Sequence, residues 1–476
     1  MYLGIDLGTS GVKVLLMDDD QRVVGSANAG LEVQRPHPGW SEQNPVDWIT
    51  ATSAAIDSLR ATHDLTAVRG IGLSGQMHGA VTLDAGDQVI RPAILWNDGR
   101  SAVEAASLDA KPEFHALSGN IVFPGFTAPK LMWMATHEPR NFARIAKVLL
   151  PKDYLRLWLT GEHVAEMSDA AGTSWLDTGS RRWSEALLTA SGMRIDQMPH
   201  LVEGNAVSGG LRAELAHAWG MIPGIVVAGG AGDNAATAIG AGTIAEGQGF
   251  VSLGTSGVVF AATDRYLPRP ESAVHAFCHA LPDTWHQMGV ILSASASLEW
   301  LGGIVGRAPA DLTAELGADL KAPGEITFLP YLSGERTPHN NAGLRGSFHG
   351  LSASTDRAAM TQAVLEGVAF ALADNLDVLR AAGSAPQALL ALGGGARSRY
   401  WVEAIATALG LPILLPEAGD FGAAFGAARL GQMAATGAPP AEICTPPRIA
   451  AEIAPNAALS PAFRDRHAAF RDLIQQ

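Results

Sequence analysis

The sequence predicts an α/β protein made of two similar domains that face each other across a cleft. Three observations predict it. The chain has 476 residues, more than one hydrophobic core usually supports. The hexamer LGTSGV stands at Leu7–Val12 and again, letter for letter, at Leu253–Val258, about half the chain later. A repeat at that spacing indicates two related domains rather than a solenoid. Each half also carries an apolar run that ends in a glycine cluster: IVVAGGAGDN, ending at Asn234, and LLALGGGARS, ending at Ser398. The boundary is expected near Gly242 to Gly249, giving domains 1–243 and 244–476.

Taken in order, a short apolar run leads into the first hexamer, and the β-prone stretch Lys13–Met17 follows it. The second copy is followed by Val259–Ala262. Strand, glycine turn, strand is the expected reading of both, because glycine at each end of Thr-Ser permits a tight hairpin. Asn44-Pro45 supplies a cap and a first-turn proline for a helix with Trp48, Thr52, Ala55 and Leu59 on one face. Beyond it, helical patterns alternate with short apolar segments, as in mixed α/β domains.

Composition bounds the function. Hydrophobic residues at 47% and charged residues at 17% fit a globular enzyme. A formal net charge of −14 argues against a nucleic-acid partner. Cys278 and Cys444 are the only cysteines, too few for a disulfide framework or a four-cysteine zinc site. The start, MYLGID, has no basic or apolar leader pattern, and no apolar stretch is long enough for a bilayer, so a cytoplasmic location off the membrane is expected.

A Gly-Thr-Ser-Gly turn gathers backbone N–H groups and hydroxyls into one small volume, which suits phosphate oxygens. One such turn is ordinarily just a tight turn; two identical copies point to two jaws of one site. Asp6 precedes the first copy and Ser252 the second. A carboxylate at the mouth of a phosphate cradle holds Mg²⁺, usually through water. The chain has no G-x-x-x-x-G-K-[ST], which excludes a P-loop enzyme. Gly230-Ala231-Gly232-Asp233-Asn234-Ala235 matches a dinucleotide fingerprint, yet the acidic residue it needs on a following strand has only Glu246, in AEGQG, as a candidate.

Several segments together resemble the FGGY carbohydrate kinases of the actin-like superfamily: MYLGIDLGTSGVKV, GWSEQNP, GQMHGA, RPAILWNDGR, PGFTAPKLMW, LLPKDYLRLWLTG, SDAAGTSWLD, GGAGDNAA, FLPYLSGERTPHNN and LGGGARS. The resemblance covers essentially the whole chain. It implies two actin-like (ribonuclease H-like) domains, sugar on the first and nucleotide on the second, with ATP and Mg²⁺ as cofactors and closure that excludes water. It implies Asp233 as the base for a sugar hydroxyl and Asp6 as the organiser of Mg²⁺. Met77 and His78 would contact the sugar, with Asn234 beside the base. Thr9 and Ser10 would meet the transferred phosphoryl group, Gly254 and Thr255 the nucleotide phosphates, and Gly394, Gly395 and Ala396 the adenosine side. The helix start in SASASLEWL would also lie on the nucleotide side.

The implied partners are ATP and a small ketose, D-xylulose ahead of another pentulose or gluconate, and a homodimer is the assembly common among similar enzymes. A nicotinamide-dependent oxidoreductase and a non-catalytic actin-like sugar sensor remain as rival classes. Two departures from the family pattern stand out: Ala359 where a polar residue is usual, and GGAGD where GGGD is frequent, one residue more before Asp233. Asp233 also stands where it would cap the helix that follows, and a helix N-terminus is expected to keep it ionised and weakly basic. Lys13 either touches a phosphate or faces solvent. Asp98 and Arg100 are expected to pair, and Ser333, Glu335, Arg336 and His339 to brace a loop.

Overall fold

The computed structural model describes residues 1–417 and 419–474. They form two compact units. The first comprises Met1–Ile244, Phe277–Trp285 and Asp420–Pro446; the second comprises Ala245–Ala276, His286–Gly419 and Pro447–Gln476.

The first unit opens with three strands, β1 (Tyr2–Leu7), β2 (Gly11–Met17) and β3 (Val23–Gly30), each antiparallel to the next. Burial is nearly continuous through β1 and most of β2 because both faces of this sheet are covered, with Asp6 the one charged residue in β1. Helix α1 (Pro45–Arg60) begins as its residues dictate: the Asn44 side chain accepts from Val46 N, and Pro45 fills the first position. Its expected face, Trp48, Thr52, Ala55 and Leu59, is buried. Strand β4 (Gly70–Gly75) pairs parallel to β1 and sets Ser74 beside Asp6.

Helices α2 (Thr127–His137) and α3 (Pro151–Thr160) follow, then strands β5 (Val207–Gly210), β6 (Val226–Ala228) and β7 (Ala231–Gly232). The sheet order is β5-β6-β4-β1-β2-β3, with β7 also on β4. Helix α4 (Asp233–Ala241) leaves directly from β7. Gly232, not Asp233, holds its cap position, so Asp233 is the first helical residue.

The second unit repeats the opening hairpin in β8 (Gly249–Leu253) and β9 (Gly257–Thr263). Strands β10 (His275–Cys278) and β11 (Trp285–Ile291) follow, with Phe277, Cys278 and Trp285 counted in the first unit, then helices α5 (Ser295–Val305), α6 (Pro309–Glu315) and α7 (Arg357–Ala381). Strand β12 (Leu389–Leu392), helix α8 (Arg399–Leu409) and strand β13 (Ile413–Pro416) come next. Helix α9 (Ala423–Thr436) then belongs to the first unit, before β14 (Ile449–Ile453) and α10 (Ser460–Ile474) in the second. The second sheet runs β10-β11-β9-β8-β12-β13-β14, with β8 parallel to β12. Its core is formed around Val251, Leu253, Leu301, Phe328 and the buried length of α7. Ala359 lies partly buried against that core.

Helix α9 approaches the first sheet backbone to backbone. An added Cβ on Gly4 would overlap Ala424 O, and one on Gly72 would overlap Ala427 O. Only glycine admits so close a helix, and that helix carries in the polar residues at its N-terminal approach. Among the described residues no helix is long and apolar enough to cross a membrane.

Candidate active site

Strand β1 delivers Asp6 to the start of the first glycine turn, where Gly8 N donates to Gly11 O at 3.0 Å. Burial, and then the Asp233 carboxylate, push Asp6 up to about 6. Its Oδ1 is buried with no hydrogen-bond partner. A buried carboxylate oxygen without a donor suits a cation, since a cation supplies the missing positive field. Among the described residues no group of three or more His, Cys, Asp or Glu side chains could hold a metal alone. Mg²⁺ keeps several waters and takes few protein ligands beside substrate phosphates, so the orphaned Asp6 oxygen fits it.

Asp233 comes from the junction of β7 and α4. It accepts hydrogen bonds from Asn234 N at 2.8 Å and Asn234 Nδ2 at 3.1 Å. These donors favour its charged form, but burial outweighs them and raises its pKa above the ordinary value. The weak base expected at a helix N-terminus is therefore corrected: desolvation makes Asp233 a stronger base. Three residues before Asp233, Gly230 takes the positive φ of +78° that glycine allows.

Met77 packs over Gly232, where an added Cβ would lie 2.9 Å from its Sδ. His78 has a φ of +69°, unusual for a residue with a side chain. Two donors hold its carbonyl, Thr127 Oγ1 at 3.1 Å and Lys130 Nζ at 2.8 Å. Its ring stacks on Phe126 at 4.5 Å, with Nδ1 2.7 Å from Gly172 O. Met77, His78, Asp233, Asn234, Asp6, Thr9 and Ser10 all belong to the first unit.

Sequence reasoning did not name Asp420, which reaches Lys13 from the start of the returning segment and forms an ion pair with it. Lys13 is thus committed to a carboxylate. Asp98 and Arg100 do pair, at 2.7 Å and almost fully buried, with the guanidinium 3.6 Å above the Trp40 ring. Glu335 braces its loop by accepting from Leu292 N and Arg336 N, at 3.0 and 2.7 Å.

In the second unit the Gly254–Gly257 turn lies against the start of α5. Ser295 N donates to Gly254 O and Ala294 N to Thr255 O, both at 2.9 Å. Beside it opens a cavity of about 610 Å³, the size of a small-molecule site. Gly254, Thr255, Gly394 and Gly395 line it, together with Ser295, Leu298 and Glu299 of α5. Pro309, Ala310 and Thr313 of α6 also line it and carry no sequence motif that announces them. Ala396, in the same turn as Gly394, packs against the unit's core instead.

With this geometry in hand, the chain is assigned to a class: residues 1–240 match the N-terminal domain, and 249–435 the C-terminal domain, of the FGGY family of carbohydrate kinases. The chain belongs to that family and is a carbohydrate kinase. It is 50% identical over 481 residues to the xylulose kinase of Escherichia coli, covering 100% of this chain and 99% of the relative. The crystal structure of a "xyloylose" kinase from Brucella ovis is 64% identical and superposes with a TM-score of 0.98, covering 99% of this chain and 98% of that one. The xylulose kinase of Rhodospirillum rubrum is 30% identical with a TM-score of 0.92, again over 99% and 98% of the two chains.

Proposed function

We propose that this kinase transfers the γ-phosphoryl group of ATP to D-xylulose, giving D-xylulose 5-phosphate. The observation that carries the chemistry is the carboxylate pair Asp6 and Asp233, buried near each other and each raised above its ordinary pKa, in the unit that also holds Met77 and His78. The half-identical relative from Escherichia coli supports the choice of sugar.

In this reading residues 1–243 carry the sugar and residues 244–476 the nucleotide. Met77, His78 and Asn234 orient the ketose so that its terminal hydroxyl lies at Asp233. The hydroxyl oxygen attacks phosphorus as the bond to the β-phosphate oxygen breaks, and Asp233 takes the proton. Phosphoryl transfer has a loose transition state, so positioning and charge neutralisation dominate and proton removal comes late. Mg²⁺, when bound, would supply that neutralisation, and Asp6, with its unpartnered buried oxygen, is the residue that would hold it. The first turn, at Thr9 and Ser10, faces the transferred group. Gly254 and Thr255 hold the nucleotide phosphates, and Gly394 and Gly395 flank the adenosine. The same reading makes it a cytoplasmic enzyme, with a homodimer as the assembly to test by light scattering.

The test is ADP release with D-xylulose, L-ribulose, D-ribulose, glycerol and gluconate. D-xylulose is expected to give the highest kcat/KM; equal rates across the panel would overturn the substrate.

A further inference from the structure

Two buried glutamines hold the first glycine turn, and the direction of every hydrogen bond in their chain is forced from outside. Trp48 Nε1, which can only donate, gives its proton to Gln43 Oε1 at 3.0 Å. Thr9 O and Glu32 O, which can only accept, lie 2.8 and 3.2 Å from Gln43 Nε2. The Gln43 amide therefore has one orientation. Its Oε1 also receives Gln76 Nε2 at 3.1 Å, which turns Gln76 Oε1 toward Thr9. Thr9 Oγ1 must then donate to Gln76 Oε1, at 3.0 Å, while a lone pair of Thr9 Oγ1 takes the indole N–H of Trp96, also at 3.0 Å. Gln43 and Gln76 are 2% and 3% exposed, so water does not stand in for either amide.

The hydroxyl of Thr9 has a single proton, and that proton is spent. Phosphoryl oxygens only accept, so the Thr9 side chain has no donor to offer them. By contrast, the backbone N–H groups of Thr9 and Ser10 make no hydrogen bond among the described residues. We infer that Gln43 and Gln76 are positioning residues for phosphoryl transfer. They lock the Thr9 hydroxyl inward, so the turn presents backbone N–H groups, not a hydroxyl, to the transferred group. This rests on the reading above that the first turn faces that group.

A double-mutant cycle on the full-length enzyme tests it, with kcat and both KM values measured for Thr9→Val, Gln76→Leu, the double variant and Thr9→Ser. Each of the first two is expected to lower kcat about tenfold, the worth of one well-made hydrogen bond, with KM for ATP moved less than about twofold. The double variant falls no further than either single, because both break the same link. Thr9→Ser keeps the hydroxyl and holds at least about half of the native kcat. Losses that multiply to about a hundredfold in the double variant would put the Thr9 hydroxyl on the phosphoryl group and overturn the inference. Native kcat in both single variants would overturn it as well. If Gln76→Leu does not fold, Gln76→Met, of similar length and volume, takes its place in the cycle. Native enzyme that releases no ADP with D-xylulose would defeat the substrate reading instead, and it is assayed first so that the two failures stay apart.

Discussion

The turn after Leu7 and the turn after Leu253 are built from the same six residues, yet their hairpins close in different registers. Leu7 pairs with Val12, which places Asp6 opposite Lys13. Leu253 pairs with Gly257, one residue earlier in the hexamer, which places Ser252 opposite Val258. Their carbonyls are also taken differently. Gln43 Nε2 and Leu31 N hold the first turn at Thr9 O and Ser10 O. The second rests on the backbone N–H groups that begin α5. Around the first turn lie Asp6, Lys13, Asp233 and Asp420; beside the second opens a cavity lined in part by Leu298, Pro309 and Ala310. A short glycine motif thus determines that a hairpin turn forms there. Its surroundings decide the register and the chemistry.

The comparison can be broken or sharpened by substitution. The largest effect is expected from Asp233→Ala, which should lower D-xylulose-dependent ADP release by about a thousandfold, within the range for loss of a general base. ATP binding, followed by calorimetry, should be unchanged. Next, Asp6→Ser makes the first turn resemble the second and should raise the half-saturating Mg²⁺ concentration by at least about tenfold, through loss of a near charge. The reciprocal Ser252→Asp should raise KM for ATP by placing an anion beside phosphates.

A pH titration separates these further. Only the ionised form of Asp6 attracts a cation, and its pKa is raised to about 6. Below that value protons compete, so the Mg²⁺ requirement should rise about tenfold per pH unit as pH falls. Above it the requirement should be flat, and Asp6→Asn should remove the slope.

Smaller effects probe the second turn's cavity. An added Cβ at Gly394 meets nothing within 4 Å, whereas one at Gly395 would lie 2.8 Å from the Leu253 side chain. Gly394→Leu should therefore raise KM for ATP several-fold without lowering Tm. Gly395→Leu should lower Tm as well. The smallest change is expected from Lys13→Met: both side chains of the Lys13–Asp420 pair are about one-third exposed, so its loss should cost less than about 1 kcal/mol in denaturant unfolding.

Much of the first unit's framework could be read residue by residue. Asn44 and Pro45 announce α1, and the apolar run before each hexamer announces a central strand. Asp233 was legible as a carboxylate at a strand-to-helix junction, though its cap position belongs to Gly232. The direction of its pKa shift was not, because propensity and spacing carry no measure of desolvation. Gln43 and Gln76 lie in segments that stand out, GWSEQNP and GQMHGA, yet nothing local marks them as partners. The pair acts only because parts of the chain 33 residues apart converge on Thr9.

What the sequence determined by itself is what nearest neighbours along the chain decide: the two hairpins, the capped helices, and one acidic residue ahead of one turn. What the tertiary structure alone decided is membership and company. Helix α9 joins the first unit some 400 residues after the opening strand it covers, because Gly4 and Gly72 leave room for its backbone. Asp420 arrives with that segment at Lys13, and α6 arrives at the nucleotide cavity. Packing between distant backbones depends on shape and burial in three dimensions, and a linear pattern of residue types encodes neither directly.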